Sequence, residues 1–132
     1  MDAERARQFV RDHPRAVLGT LRKDGRPQLT PVLVGVDDQG RLQISTRETA
    51  AKIHNLRRDP RASLCILEDR FFGRSVQIHG TAEIVSLPEA MELLVAYYRQ
   101  LAGEHPNWDE YREAMKKEQR CLLRITIEEA VG

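Results

Sequence analysis

No stretch of the 132 residues approaches the roughly 20 consecutive apolar positions that a membrane helix needs. The opening MDAERARQFV is charged where a secretory signal would be apolar, so the sequence predicts a cytoplasmic protein with no membrane partner. Neither sign of charge dominates. Lys plus Arg number 21 against 20 Asp plus Glu, which lacks the strong positive field that displaces counterions from phosphates and argues against a nucleic-acid partner. Any basic site must be local. Cysteine is scarce: Cys65 and Cys121 each sit inside an apolar strand-like run, at a separation that fits neither a disulfide framework nor zinc-ligand spacing. Both read as packing residues. His13, His54, His79 and His105 are scattered, without the close spacing of a helical metal pair, so no metal is expected. A Gly-rich nucleotide fingerprint, a nucleophile elbow and a paired-carboxylate motif are all missing. Hydrolase and kinase chemistry therefore find no support, and any catalysis needs a cofactor that the protein positions and shields from water.

What is present is the composition of one globular domain over residues 1–132, 41% hydrophobic and 31% charged, without repeats or low-complexity tracts. Ala6, Phe9 and Val10 are at helical spacing in a helix over 3–12 that His13-Pro14 would stop. Strands are predicted at 16–21 and 28–36, joined by an Asp24-Gly25 hairpin, then at 41–46 after the turn Asp37–Gly40, where Leu42 and Ile44 alternate with Gln43 and Ser45. These three strands would form a meander. Ser45-Thr46-Arg47-Glu48 has the form of a capping box opening a helix with Ala50, Ile53 and Leu56, which ends near Asp59-Pro60. Strands at 62–67 and 75–85 flank a loop at 68–74, with Gly80 placed to form a bulge. Pro88 opens a helix bearing Met91, Leu94, Val95 and Tyr98, another helix starts near Asn107, and 121–127 is the last strand. Six strands and about four helices in this order predict a mainly β protein, a small antiparallel barrel with flanking helices. One face is left for a partner chain, and a symmetric homodimer is the commonest solution.

The junction from Ser45 to Lys52 is the most informative segment. Hydroxyls, free N–H groups at a helix start and the cations of Arg47 and Lys52 would cradle a phosphate. Simple capping by Ser45 or Thr46, with a Glu48–Lys52 ion pair at i, i+4, accounts for the same residues. Arg57, Arg58 and Arg61 crowd a helix end, where cations meet the carbonyl-rich terminus or steer an acidic cofactor tail. Gln77 and His79 share one strand face, towards solvent or a cleft.

Several segments taken together, Gly19-Thr20-Leu21 with Asp24–Gln28, Lys52 to Ser63, Gly80-Thr81-Ala82, and Tyr98 to Arg112, resemble the pyridoxamine-phosphate-oxidase-like flavin and deazaflavin proteins. The likeness is specifically to the class that uses coenzyme F420, and it covers nearly the whole chain. It implies an FMN-binding split β-barrel that dimerises, with cofactor sites at the subunit interface. It further implies cofactor contacts at Pro31, Ser45, Thr46, Arg47, Ala51, Lys52, Asn55, Arg58 and Gln77, the last across the dimer. Ala50 stands where relatives often carry a second basic residue, and Phe71 and Phe72 where many have a tryptophan. The implied activity is hydride transfer from reduced deazaflavin to a small electrophilic substrate, without a dedicated acid or base. An FMN-binding oxidoreductase and a non-catalytic or haem-binding relative are the alternatives. Vitamin B6 oxidation is not expected, because the basic substrate-binding segment of the true oxidases has no counterpart in residues 121–132.

Overall fold

The computed structural model describes residues 1–132. Helix α1 (Ala3–Asp12) is capped by Asp2, whose carboxylate accepts the backbone N–H of Arg5 at 2.8 Å, and it buries Ala6, Phe9 and Val10. Strands β1 (Arg15–Leu21) and β2 (Pro27–Leu33) form the expected hairpin, and Gly25 at its turn has a φ of 86° that favours glycine. The remaining elements are β3 (Gly35–Val36), β4 (Leu42–Arg47), α2 (Ala51–Arg58), β5 (Arg61–Leu67), β6 (Ser75–Val85), α3 (Ala90–Ala102), α4 (Trp108–Lys117) and β7 (Arg120–Val131). No helix is long and apolar enough to cross a membrane.

The strands form one antiparallel sheet in the order β2-β1-β5-β6-β7-β4-β3. Its two edge strands are consecutive in the chain, separated only by Val34. A sheet with such edges must curl, and the result is a mainly β half-barrel with four helices. Here the structure departs from the sequence-based expectation in four places. The strand expected over 28–36 is broken at Val34, which is buried and donates its N–H to Pro14 O at 2.8 Å, so the count is seven strands rather than six. The expected meander is reduced to Gly35 and Val36, which pair with β4, while the other side of β4 pairs with β7 and β2 does not pair with it. The capping box is not a cap: Ser45, Thr46 and Arg47 stay in the ladder opposite Leu122, Cys121 and Arg120, and α2 begins at Ala51 with no side-chain cap. Glu48 donates its backbone N–H to Gln119 O at 2.8 Å, and its carboxylate accepts from Arg57 at 2.6 Å rather than pairing with Lys52. Gln43, expected on an exposed face, is buried because α3 packs against β4.

Gly80 marks a bulge, as expected. The register passes from His79 opposite Glu129 to Gly80 opposite Ile127, leaving Glu128 as the extra residue on β7. Leu18, Leu42, Ile44, Leu64, Ile66, Ile78, Leu123 and Ile125 fill the barrel. A smaller cluster of Leu94, Val95, Tyr111, Met115 and Leu122 fastens α3 and α4 over β7. Cys121 is fully buried, and burial pushes its thiol up to about 12; burial likewise raises the Tyr111 phenol to about 12. Both groups hold their protons in the folded chain after the unfolded chain has lost them, so the unfolded state is the one stabilised as pH rises. Folding stability is therefore expected to fall from about pH 9 upward. Denaturant midpoints measured across that range check this, and Cys121→Ala should flatten the lower part of the decline.

Candidate functional site

The register places the outward side chains of the sheet in rows. Pro31, Val17, Cys65 and Gln77 form one row across β2, β1, β5 and β6, and Leu29, Gly19, Ser63 and His79 the next. Thus Pro31 and Gln77, far apart in sequence, lie on one face, roughly three strand spacings or 14 Å apart. Because Gly19 has no side chain, the second row sinks into a cleft of about 650 Å³ with Val17, Leu21 and Leu29 on one side and Gln77 and His79 on the other. His79 joins its neighbours through both ring nitrogens: Nδ1 is 2.8 Å from Ser63 Oγ and Nε2 is 2.9 Å from Gln77 Nε2. At the far end of the β5–β6 hairpin Phe71 and Phe72 are almost wholly exposed and meet edge to face.

A second group of residues gathers where β4, β7 and α2 meet. Arg47 and Arg120 stand directly opposite each other in the ladder, a destabilising like-charge arrangement. Glu118 alone balances them, accepting from Arg120 at 2.9 Å and from Arg47 at 3.4 Å. Lys52 is half-buried with no ion-pair partner, and its ammonium is pushed below the usual lysine value first by burial and then by the charge of Arg120. Ser45 opens outward into a 400 Å³ depression that it shares with Arg120, Tyr97 and Tyr111. Thr46, one residue on, points the opposite way and is buried against the core. Three cations and one carboxylate thus remain beside an outward hydroxyl. A phosphate dianion would relieve that excess, so the residues present fit a cofactor phosphate.

Ala51, Asn55 and Arg58 line a third depression, of about 430 Å³, together with Arg22, Lys23, Asp24, Gln28 and His54. Asn55 is buried and holds this wall together: its amide donates to Thr20 Oγ1 at 3.1 Å and to Gln28 Oε1 at 3.0 Å, and its carbonyl accepts from Arg58 at 3.1 Å. Asn55→Ala is expected to cost about 1–3 kcal/mol of stability, because the buried Thr20 hydroxyl and the half-buried Gln28 amide lose their partner; a shift in denaturant midpoint at unchanged m-value would show it. Of the three clustered arginines, Arg57 is tied to Glu48 and Arg61 to Asp59 at 2.7 Å. Hydrogen bonds from Arg61 hold the Asp59 carboxyl down to about 2. Arg58 instead donates to Leu21 O and Asn55, with no carboxylate partner.

In one chain, then, eight of the nine expected residues fall into separate groups, Ser45, Arg47 and Lys52 at the cation junction, Ala51, Asn55 and Arg58 beside it, and Pro31 and Gln77 on the outward sheet face, while Thr46 is turned into the core and reaches none of them. Arg120, Arg22 and Lys23 were not anticipated. Arg120 immediately precedes the apolar run 121–127, but only its pairing with β4 brings it to Arg47. Arg22-Lys23, next to the Asp-Gly turn, is a basic pair whose sequence position alone marks it.

The family model for pyridoxamine 5'-phosphate oxidase matches residues 3–131, nearly the entire chain. The chain belongs to the pyridoxamine 5'-phosphate oxidase family. Members of this family have a flavin-binding oxidoreductase fold. Among solved structures, a conserved hypothetical protein of Mycobacterium tuberculosis is 29% identical, with a TM-score of 0.79 over 98% of this chain and 82% of that one. A structure described as an F420 reductase is 17% identical, with a TM-score of 0.73 over 94% of each chain. The haem storage protein HutZ of Vibrio cholerae is also 17% identical, with a TM-score of 0.73 over 97% of this chain and 92% of its own. At such identities the last two show the shared fold alone. The fold is therefore shared by proteins described in different terms, and the chemistry must be argued from this chain's own residues.

Proposed function

We propose that this chain is a deazaflavin-dependent reductase, acting as a homodimer on a small electrophilic substrate. The observation that carries the reading is the cation junction: Arg47 opposite Arg120, with Lys52 unpaired beside them and one carboxylate between. A ribityl phosphate seated there would be held by Lys52, Arg120 and the Ser45 hydroxyl. Bound in this way, reduced coenzyme F420 would supply hydride from its C5 carbon to the electrophile, with any balancing proton drawn from water. The chain's own part is to bind, orient and exclude water, since no acid–base pair stands at the junction.

Two observations support the finer points. Leu29, Leu33 and Leu67 are exposed on the sheet face that carries Pro31 and Gln77, and a second copy packed there would cover them. It would also bring a Gln77 to a cofactor held at the other chain's junction, which a single chain does not do. Arg58, Arg22 and Lys23 add a basic wall next to the junction, suited to a polyglutamyl tail that FMN lacks. FMN is the second reading, because it presents the same ribityl phosphate to the same cations. Mixing the purified protein with reduced coenzyme F420 and a panel of quinones, nitro compounds and tetrapyrroles, and following reoxidation, tests the activity. Acceptor-dependent reoxidation supports the reductase; binding without reoxidation by any acceptor would leave a carrier.

A further inference from the structure

We propose that His79 is a positioning residue: through a hydrogen-bonded relay, Ser63–His79–Gln77, it aims the Gln77 carbonyl at a ring N–H in the cleft above Gly19. The inference rests on the reading that Gln77 contacts the cofactor ring. A neutral imidazole has one donor and one acceptor nitrogen, so its two contacts are not independent. Gln77 Nε2 is 2.9 Å from His79 Nε2, and an amide nitrogen can only donate, so the ring accepts there. The imidazole proton is then on Nδ1, which donates to Ser63 Oγ at 2.8 Å. That leaves Gln77 Oε1 as an unclaimed acceptor and the Ser63 hydroxyl proton as an unclaimed donor. Both stand over an apolar floor of Val17, Gly19, Leu21 and Leu29. A Cβ on Gly19 would come within 3.2 Å of Leu29 Cδ2, so glycine keeps the floor clear of a methyl without displacing Leu29. An acceptor and a donor above a flat apolar floor match a planar heterocycle with an imide edge.

Riboflavin is the probe, because it carries the imide ring without a phosphate for the cation junction to hold. His79→Ala is expected to weaken riboflavin binding about tenfold, the scale of one hydrogen bond no longer aimed at its partner, and His79→Gln, which can still bond Ser63 and Gln77, to recover most of that loss. N3-methylriboflavin, which lacks the ring N–H, should bind the wild type and His79→Ala alike. An equal loss of both ligands in His79→Ala, or no recovery in His79→Gln, would overturn the relay while leaving the Gln77 contact standing, provided Gln77→Ala weakens riboflavin binding. If Gln77→Ala binds riboflavin as the wild type does, or the wild type does not bind it saturably, the reading beneath the relay falls as well.

Discussion

Gly80→Ala is expected to destabilise the protein on the order of 3 kcal/mol or to prevent its folding, as severe overpacking does. A Cβ at this position would come within 2.1 Å of the Thr126 carbonyl oxygen, a backbone atom that cannot rotate away. Retreat of the backbone is blocked too, since Gly80 is held on one side by β5 and on the other by β7. Relief requires loss of the bulge at Glu128, and with it the register of the last residues of β7. Gly25→Ala makes the contrast. Nothing lies within 4 Å of a Cβ there, but the φ of 86° is left-handed, so the cost should be only about 1 kcal/mol. Chemical denaturation of the two variants side by side would separate a space requirement from a conformational one; equal costs would contradict the bulge as described.

The second large effect falls on binding. Lys52→Ala is expected to weaken cofactor affinity by about tenfold or more, as loss of one charge-assisted hydrogen bond does. Folding should survive, because Lys52 makes no ion pair whose loss would strand a buried charge. Arg120→Ala should weaken binding similarly, but it also leaves Glu118 with only the longer contact to Arg47, so some stability is lost with it. The two losses should not add, because each cation faces the same anion. A double variant that loses about a hundredfold, the full product of two independent tenfold effects, would place the residues at separate sites. An arriving phosphate should also raise the Lys52 ammonium back towards the ordinary lysine range, so binding is expected to take up a proton at alkaline pH. Calorimetry in buffers of different ionisation enthalpy measures that uptake.

How much was legible in the sequence divides along one line, between local and long-range causes. The ends of α1, the extent of β6 and the Asn107 cap of α4 each carry a local signal, and each lies where the spacing put it; the bulge at Gly80 also lies where expected, although its extra residue, Glu128, comes from β7. The break at Val34 was hidden because residues 28–36 are continuously strand-like; only the need for β3 to pair with β4 on the far edge separates them. Ser45 to Glu48 misled for a related reason. The residue types suit a helix cap, but six rungs of ladder with β7 hold the segment extended through Arg47, and a local capping preference cannot compete with them. The same pairing explains the candidate site. Lys52 was visible from the motif around it, whereas Arg120 has no sequence signal of its own and joins the junction only through its place opposite Arg47.

The most direct test of the cation junction and of the cofactor assigned to it is a pair of fluorescence titrations of the wild-type protein, with coenzyme F420 and with FMN, at one ionic strength. The expected result is saturable binding of both, tighter for the deazaflavin, because the junction serves either phosphate and the wall of Arg22, Lys23 and Arg58 serves only the acidic tail. Tighter binding of FMN would contradict the deazaflavin assignment and leave the flavin oxidoreductase; binding of neither would remove the cofactor from the junction altogether.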